Sequence, residues 1–383
     1  LIFSERRRIV VGQIFELLTT NITEDTTLKK LVYLVSGGIS TIQEPDPTLL
    51  VEQAYRYALE TLDMNMDTAV PLMDGTVVSF VPPVPDTGDR VMEHIGLSSV
   101  PRTHVQNSEA AGGMCFQEAF KQIESNEMDI VLACGWKTTA NSNPRQDPAK
   151  SLYHEMPGIT QEHLAKIAVK NLRHGAQNPY ARRYDPSQGA AVCILASDTG
   201  LRRIQKRGRL RHPIIVSSTG YAYDGNPKMR RALTCHAIAQ AYQQATIRIS
   251  RSFYELDFIE LHDDSPVSEI EGYEDFGLCP KGEAAAFIDG GFPFLKDMDY
   301  GSKLRPYPKL RNMPVNPSGG LTACGYSGAA TNLRQTVFSL WQMQQTIGQH
   351  FRSTALQVPN PRRCAIHAVN DTGDTVTVSI LER

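Results

Sequence analysis

The sequence predicts a layered α/β protein built in two similar rounds. Apolar runs of buried-strand type at 75–80, 128–134, 213–216, 258–261, 364–369 and 375–381 alternate with longer stretches of helical spacing. A strand, a sharp turn and a helix occur near 105–125 and again near 313–347, and each round ends in strands. With 383 residues, 41% of them hydrophobic, the chain is long enough for one large or two medium domains with a substantial core.

In chain order, residues 9–14 have the composition of a first strand, whereas 15–47 follow no regular pattern. Leu50, Val51, Ala54, Tyr55, Ala58 and Leu62 recur at helical spacing, which predicts an amphipathic helix over 48–62. The strand at 75–80 is stopped by Pro82, Pro83 and Pro85. Residues 105–113 lead from a strand into a helix ending near Ser125. After Trp136 the composition shifts: 138–210 is rich in Asn, Pro, Arg, Gln and Tyr and carries one expected helix, at 160–174. A long helix is expected at 229–247 and a short one at 269–276, stopped by Gly277. Residues 280–312 are turn-rich, and 331–347 have a strongly apolar helix pattern. The last two strands are joined by Asn370-Asp371-Thr372-Gly373, residues that favour a tight turn.

The 41 acidic and 39 basic residues leave a formal charge of -2, which points to neither nucleic acid nor an anionic membrane as partner. Seven dispersed cysteines, without a CxxC pair or zinc-like spacing, fit a reducing compartment better than a disulfide framework. No apolar run approaches a membrane span, and the C-terminal Ile380-Leu381-Glu382-Arg383 does not read as a peroxisomal signal. The expected setting is intracellular, with the mitochondrial matrix the first choice and the peroxisome and cytoplasm the alternatives.

Candidate chemistry gathers in a few stretches. Val315-Asn316-Pro317-Ser318-Gly319-Gly320-Leu321-Thr322-Ala323-Cys324-Gly325-Tyr326-Ser327-Gly328 sets glycines and polar groups just before an apolar helix pattern. Its free N–H groups can meet an anion or a carbonyl oxygen, or it is simply a glycine-rich turn entering a buried helix. Glu260-Leu261-His262-Asp263-Asp264-Ser265 places acids and an imidazole at a strand end. In Val105-Gln106-Asn107-Ser108-Glu109-Ala110-Ala111-Gly112-Gly113, Glu109 is either a helix-cap carboxylate or a buried base. Asn178-Pro179-Tyr180-Ala181-Arg182-Arg183-Tyr184 offers Arg182, Arg183 and Tyr184 to phosphates and an adenine ring, or is a solvated basic turn. Cys115, among Met114, Phe116 and Ala119, reads as core, His163 as a packed or solvated helix histidine, and no metal is expected.

Together these stretches resemble the thiolase superfamily, most closely its sterol-carrier type. The segment 260–265 is similar to a His-Asp-Cys-Phe motif of that type, and Tyr273-Glu274-Asp275-Phe276-Gly277-Leu278-Cys279-Pro280-Lys281-Gly282-Glu283 is a closer match still. The resemblance implies a thiolase fold of two similar αβαβα halves in five layers with an inserted loop domain. The N-terminal half would take 1–137 and 211–245, the loop domain 138–210 and the C-terminal half 246–383. It further implies a homodimer joined through the N-terminal sheet, and coenzyme A or acyl-CoA as substrate or ligand with no permanently bound cofactor.

By the same resemblance, three reactive positions are changed. Glu109 stands where the family has its nucleophilic cysteine, Asp264 where it has an acid–base cysteine, and Tyr326 where it has the histidine of Gly-His-Pro. His262, Asn316, Ser318, Gly319 and Gly320 keep the frame. A carboxylate is a poor sulfur surrogate, because an acyl-glutamate anhydride is a high-energy intermediate, whereas a phenol can still donate to developing negative charge. The reading is therefore an acyl-CoA-handling protein of lipid metabolism, nominally an acyltransferase, in which classical thiolysis is expected to fail or be very slow. One alternative is a cysteine-independent retro-aldol or Claisen-type lyase, similar to steroid side-chain aldolases that carry a tyrosine at the position of Tyr326 and use an OB-fold partner. The other is a non-catalytic CoA-ligand-binding or scaffold protein.

Overall fold

The computed structural model describes residues 29–41, 44–81, 85–107, 110–138, 156–181, 188–226, 230–249, 256–296, 298, 300 and 312–383. Among them, nine strands form one continuous sheet. They are β1 (Tyr33–Ile39), β2 (Gly75–Val81), β3 (Arg102–His104), β4 (Ile130–Lys137), β5 (Gly189–Ala196), β6 (Ile214–Tyr223), β7 (Phe258–Glu260), β8 (Arg363–Val369) and β9 (Thr375–Glu382), in the order β3-β2-β4-β5-β1-β6-β9-β8-β7.

That order repeats about the joint between β1 and β6. On one side β5 runs antiparallel to β1 and β4, while β2 runs parallel to β4 and β3. On the other, β9 runs antiparallel to β6 and β8, β7 runs parallel to β8, and Val315 bridges Ile259 in parallel where a counterpart of β3 would lie. Even the irregularities repeat. β1 slips register between Leu34 and Ser36, and β6 between Val216 and Ser218. Just beyond each slip a glycine lies flat on a helix: a Cβ on Gly38 would collide with the Ala54 carbonyl, and one on Gly220 with the Ala237 carbonyl. The two halves are thus the same supersecondary unit used twice.

The helices in chain order are α1 (Pro47–Glu60), α2 (Met66–Ala69), α3 (Thr87–His94), α4 (Ala111–Glu124), α5 (Gln161–Gln177), α6 (Asp198–Gln205) and α7 (Arg230–Ile249). They continue with α8 (Pro266–Asp275), α9 (Ala284–Asp289), α10 (Gly320–Cys324), α11 (Ala330–Met343) and α12 (Ile347–Phe351). α1 starts where Asp46 accepts from the Thr48 N–H at 3.0 Å and Pro47 occupies the first turn; it then buries Leu50, Val51, Ala54, Tyr55 and Ala58. It covers β1, β4 and β5, while α7 covers β6 and β9. Between them α4 and α11 touch strands of both halves, so the two halves of the one sheet lie on either side of these helices, in the expected five layers, helix–sheet–helix–sheet–helix.

The strand expected at 9–14 lies outside the described residues. β1 arises within the stretch that follows no pattern, because Ser36, Gly37 and Gly38 interrupt its apolar residues. β5, with all eight residues buried, falls inside 138–210 yet sits between β4 and β1, so this part belongs to the sheet and not to a loop domain. β6 pairs with β1 only at Tyr33 and Leu34 but with β9 along its length, so 211–245 joins the C-terminal sheet and not the N-terminal half. α9 adds a helix to the turn-rich 280–312 stretch.

Candidate active site

The site is built where β7 ends, where the chain passes through 312–330, and where α5 leans on both. Glu260 closes β7, and Leu261-His262-Asp263-Asp264 runs on to Ser265, whose hydroxyl accepts from the Ser268 N–H at 3.2 Å and starts α8. The second loop turns sharply at Asn316 (φ 51°), Gly319 (φ 100°) and Gly320 (φ 61°). These left-handed values favour glycine and, next, asparagine.

Buried side chains fix each turn. The Asn316 side-chain oxygen accepts from the Leu261 N–H at 2.7 Å, and its amide donates to Glu269 at 3.0 Å. Ser318 donates to Glu260 twice, from its N–H at 3.0 Å and its hydroxyl at 2.7 Å. Asp263 accepts from the N–H groups of Leu321 and Thr322 and from the Thr322 hydroxyl, at 2.7, 3.2 and 2.9 Å, and so caps the start of α10. A Cβ on Gly320 would collide with that carboxylate.

From the other side α5 contacts the loop almost residue by residue. The three N–H bonds of the Lys170 ammonium go to Glu269 at 2.8 Å, the Asn171 side chain at 2.6 Å and the Val315 carbonyl at 2.7 Å. His174 donates from Nδ1 to the Asn316 carbonyl at 2.8 Å and accepts at Nε2 from the Tyr300 hydroxyl at 2.6 Å. Asn178 donates to the Ser318 carbonyl at 2.8 Å. Burial, then the charge of Lys170, lowers His174 to about 3, so it stays a neutral strut.

Burial also pushes the Glu260 carboxyl up to about 7, against the pull of its Ser318 hydrogen bonds. Asp263 is held well above the usual carboxylate range by burial and by repulsion from Glu269. A carboxyl raised on folding lends stability below its unfolded value, 4.5, and loses it as pH rises through about 7. Resistance to urea is therefore expected to fall between about pH 5 and pH 8, by on the order of 3 kcal/mol from Glu260 alone. In urea titrations across that range, Glu260→Gln should flatten the dependence.

The loop after α10 carries Tyr326. The buried Arg334 guanidinium grips it on both sides, donating to the Cys324 carbonyl at 3.0 Å, the Ser327 hydroxyl at 2.9 Å and the Gly325 carbonyl. Gln335 holds the facing loop by donating to the Leu261 carbonyl at 2.8 Å. Between these clamps the rings of His262 and Tyr326 meet edge to face, centroids 5.9 Å apart at 89°. The Ala329 carbonyl lies so close to Gly112 of α4 and Gly135 of β4 that a Cβ on either would collide with it, which brings both halves to this point.

Of the residues picked from the sequence, the structure thus joins His262 to Tyr326 and ties Asn316, Ser318 and Gly320 into the Glu260–Asp263–Glu269 cluster. Gly319 packs against the backbone of Gly175, and Asp264 is exposed. Glu109, Arg182, Arg183 and Tyr184 lie outside the described residues. Lys170, Asn171, His174 and Asn178 were missed; their signal is a polar stripe on one face of α5. A cleft of about 730 Å³ opens beside them, lined among others by Ser40, Gln177, Asn178, Tyr180, Ala323 and Phe351.

Six of the seven cysteines are buried, and Cys235 alone is exposed. Cys115 and Cys324 are each pushed up to about 12 by burial, and their thiols donate to the carbonyls of Val77 at 3.0 Å and Ser318 at 3.5 Å. Neither presents a thiolate. Among the described residues no group of three His, Cys, Asp or Glu could hold a metal ion, and no helix is long and apolar enough to cross a membrane.

Residues 222–383 match the family Thiolase C-terminal domain-like. The chain is 26% identical to sterol carrier protein 2 of Gallus gallus, over 92% of this chain and 72% of that protein. It is 25% identical to an acetyl-CoA acetyltransferase of Methanothermobacter thermautotrophicus, over 76% of this chain and 83% of that one. The solved Ltp2-ChsH2(DUF35) aldolase superposes with a TM-score of 0.69 at 15% identity, over 93% and 98% of the two chains, which bears on the fold alone. This is a thiolase-fold protein. The family match over the C-terminal part and these relatives support a thiolase-superfamily protein similar to the sterol-carrier type.

Proposed function

We propose that this chain acts on acyl-CoA thioesters of lipid metabolism without an acyl-cysteine, as a carbon–carbon lyase of retro-aldol or Claisen type. The observation that carries the reading is the meeting of buried His262 with half-buried Tyr326, an imidazole and a phenol on loops held by Gln335 and Arg334 at the junction of the two halves. Two such donors suit an oxyanion, whereas thiolysis needs an activated sulfur. The burial of Cys115 and Cys324 supports the same choice.

In the reaction a carboxylate, Glu109 or Asp264, takes the proton of a β-hydroxyl. The Cα–Cβ bond breaks, its electron pair passes to the thioester as an enolate stabilised by Tyr326 and His262, and the proton returns to Cα. Coenzyme A would lie in the cleft beside Tyr180, and Arg182, Arg183 and Tyr184 are the residues whose chemistry suits its phosphates and adenine. The protein would work as a homodimer joined along the edge strand β3, with an OB-fold partner of the kind steroid side-chain aldolases use.

The test is purified protein given acetoacetyl-CoA with CoA, then a β-hydroxyacyl-CoA. Turnover of the second alone is expected, and turnover of the first would overturn the reading. Tight CoA binding with no turnover of either would instead select the non-catalytic ligand-binding protein, a reading favoured by the exposure of Asp264. Glu109→Cys alone should leave thiolysis near background, because Tyr326 and Asp264 remain; robust acetyl transfer by that variant would contradict this.

A further inference from the structure

β4 ends on Lys137, which is only 5% exposed. An ammonium out of water is costly unless its surroundings favour the charge. The strand end is closely packed: Trp136 stacks on Phe80 at 4.7 Å and 8°, and Gly135 lies directly under the Ala329 carbonyl. From that anchor the lysine stem runs beneath the Tyr326 loop, so close that a Cβ on Gly328 would sit 3.0 Å from its Cδ. The Nζ reaches a point 5.6 Å from the centroid of the Tyr326 ring.

Among the described residues, other charged or titratable groups near this ring are placed differently. His262 meets it edge to face from the loop after β7. Arg334, from α11, directs its N–H groups at the loop's carbonyls and at Ser327, and Asp263 is engaged at the start of α10. Among the described residues, Lys137 is the cation set over the ring.

We propose that Lys137 is a positioning residue for Tyr326, its ammonium over the ring making the phenol a stronger donor to negative charge that develops on a thioester oxygen. This rests on the reading of Tyr326 as that donor, and it adds the residue at the end of β4 to the loops that carry His262 and Tyr326. A cation near a phenol favours its anion, so the same contact that holds the ring also sharpens the donor.

The test needs no substrate. With 13Cζ-labelled tyrosine, NMR follows the Tyr326 resonance, assigned by its loss in Tyr326→Phe, through an alkaline titration. Lys137→Met keeps the stem and removes the charge; the midpoint is expected to rise by about one pH unit, a tenfold change. Lys137→Arg should bring it back near the wild-type value. If Lys137→Met does not fold, Lys137→Gln makes the same comparison. A midpoint that does not move on loss of the charge overturns the proposal, whether or not any thioester is turned over. With a thioester that is turned over, Lys137→Met should lower kcat about tenfold and leave KM within about twofold; a change confined to KM also overturns it.

Discussion

Lys170→Met is expected to destabilise the fold by on the order of 3–5 kcal/mol, the usual consequence of leaving one member of a buried ion pair without the other. Both side chains are fully buried, with Nζ and the Glu269 oxygen 2.8 Å apart. Methionine fills similar space but supplies none of the three N–H bonds, so the Val315 carbonyl and the Asn171 oxygen lose their donor together with Glu269. Glu269 keeps its bonds from Asn171, Asn316 and Tyr273, which are neutral donors and do not balance its charge. Urea unfolding measures the effect. Lys170→Met combined with Glu269→Gln should recover part of the loss, because the unbalanced charge goes while the orphaned carbonyl stays. A single variant as stable as the wild type would show that the pair contributes nothing to holding α5 on the 315–318 loop.

This α5 contact also shows what the sequence left unread. Lys170, Asn171, His174 and Asn178 are polar residues on a helix within a polar stretch, a pattern that serves equally for a solvated face. Only the tertiary fold turns that face inward, by running the 315–318 loop along it. β1 was unreadable for a related reason. Gly37 and Gly38 spoil its apolar pattern because α11 and α1 approach there: a Cβ on Gly37 would lie 2.6 Å from Val337. β5 did carry a signal, an unbroken apolar run from Ala190 to Ala196, but its Asn-, Pro- and Arg-rich surroundings masked it.

The loops at 260–265 and 316–328 were legible because their glycines and acids answer local demands. Gly320 is required by the Asp263 carboxylate, and Asn316 by a left-handed turn. What the motifs could not convey is that Asp263 and Asp264, adjacent in sequence, divide their roles. The first is buried as a helix cap, and the second faces outward.

Tyr326→Phe is expected to lower kcat for a β-hydroxyacyl-CoA about 10²- to 10³-fold, the range seen when one oxyanion donor is removed. Its affinity for CoA should stay within about twofold. The two effects separate because the substitution removes one oxygen and leaves everything that places the ring. Arg334 still grips the Cys324 and Gly325 carbonyls and the Ser327 hydroxyl, His262 still meets a ring edge, and Lys137 still has an aromatic face beneath it. The cleft is lined by α5, the end of β1, Ala323 and Phe351, without Tyr326. Steady-state kinetics with calorimetric CoA binding tests both halves of the expectation. A fall in CoA affinity matching the fall in kcat would place Tyr326 in ligand binding, whereas undiminished turnover would move the oxyanion donor elsewhere and leave His262 to act without it.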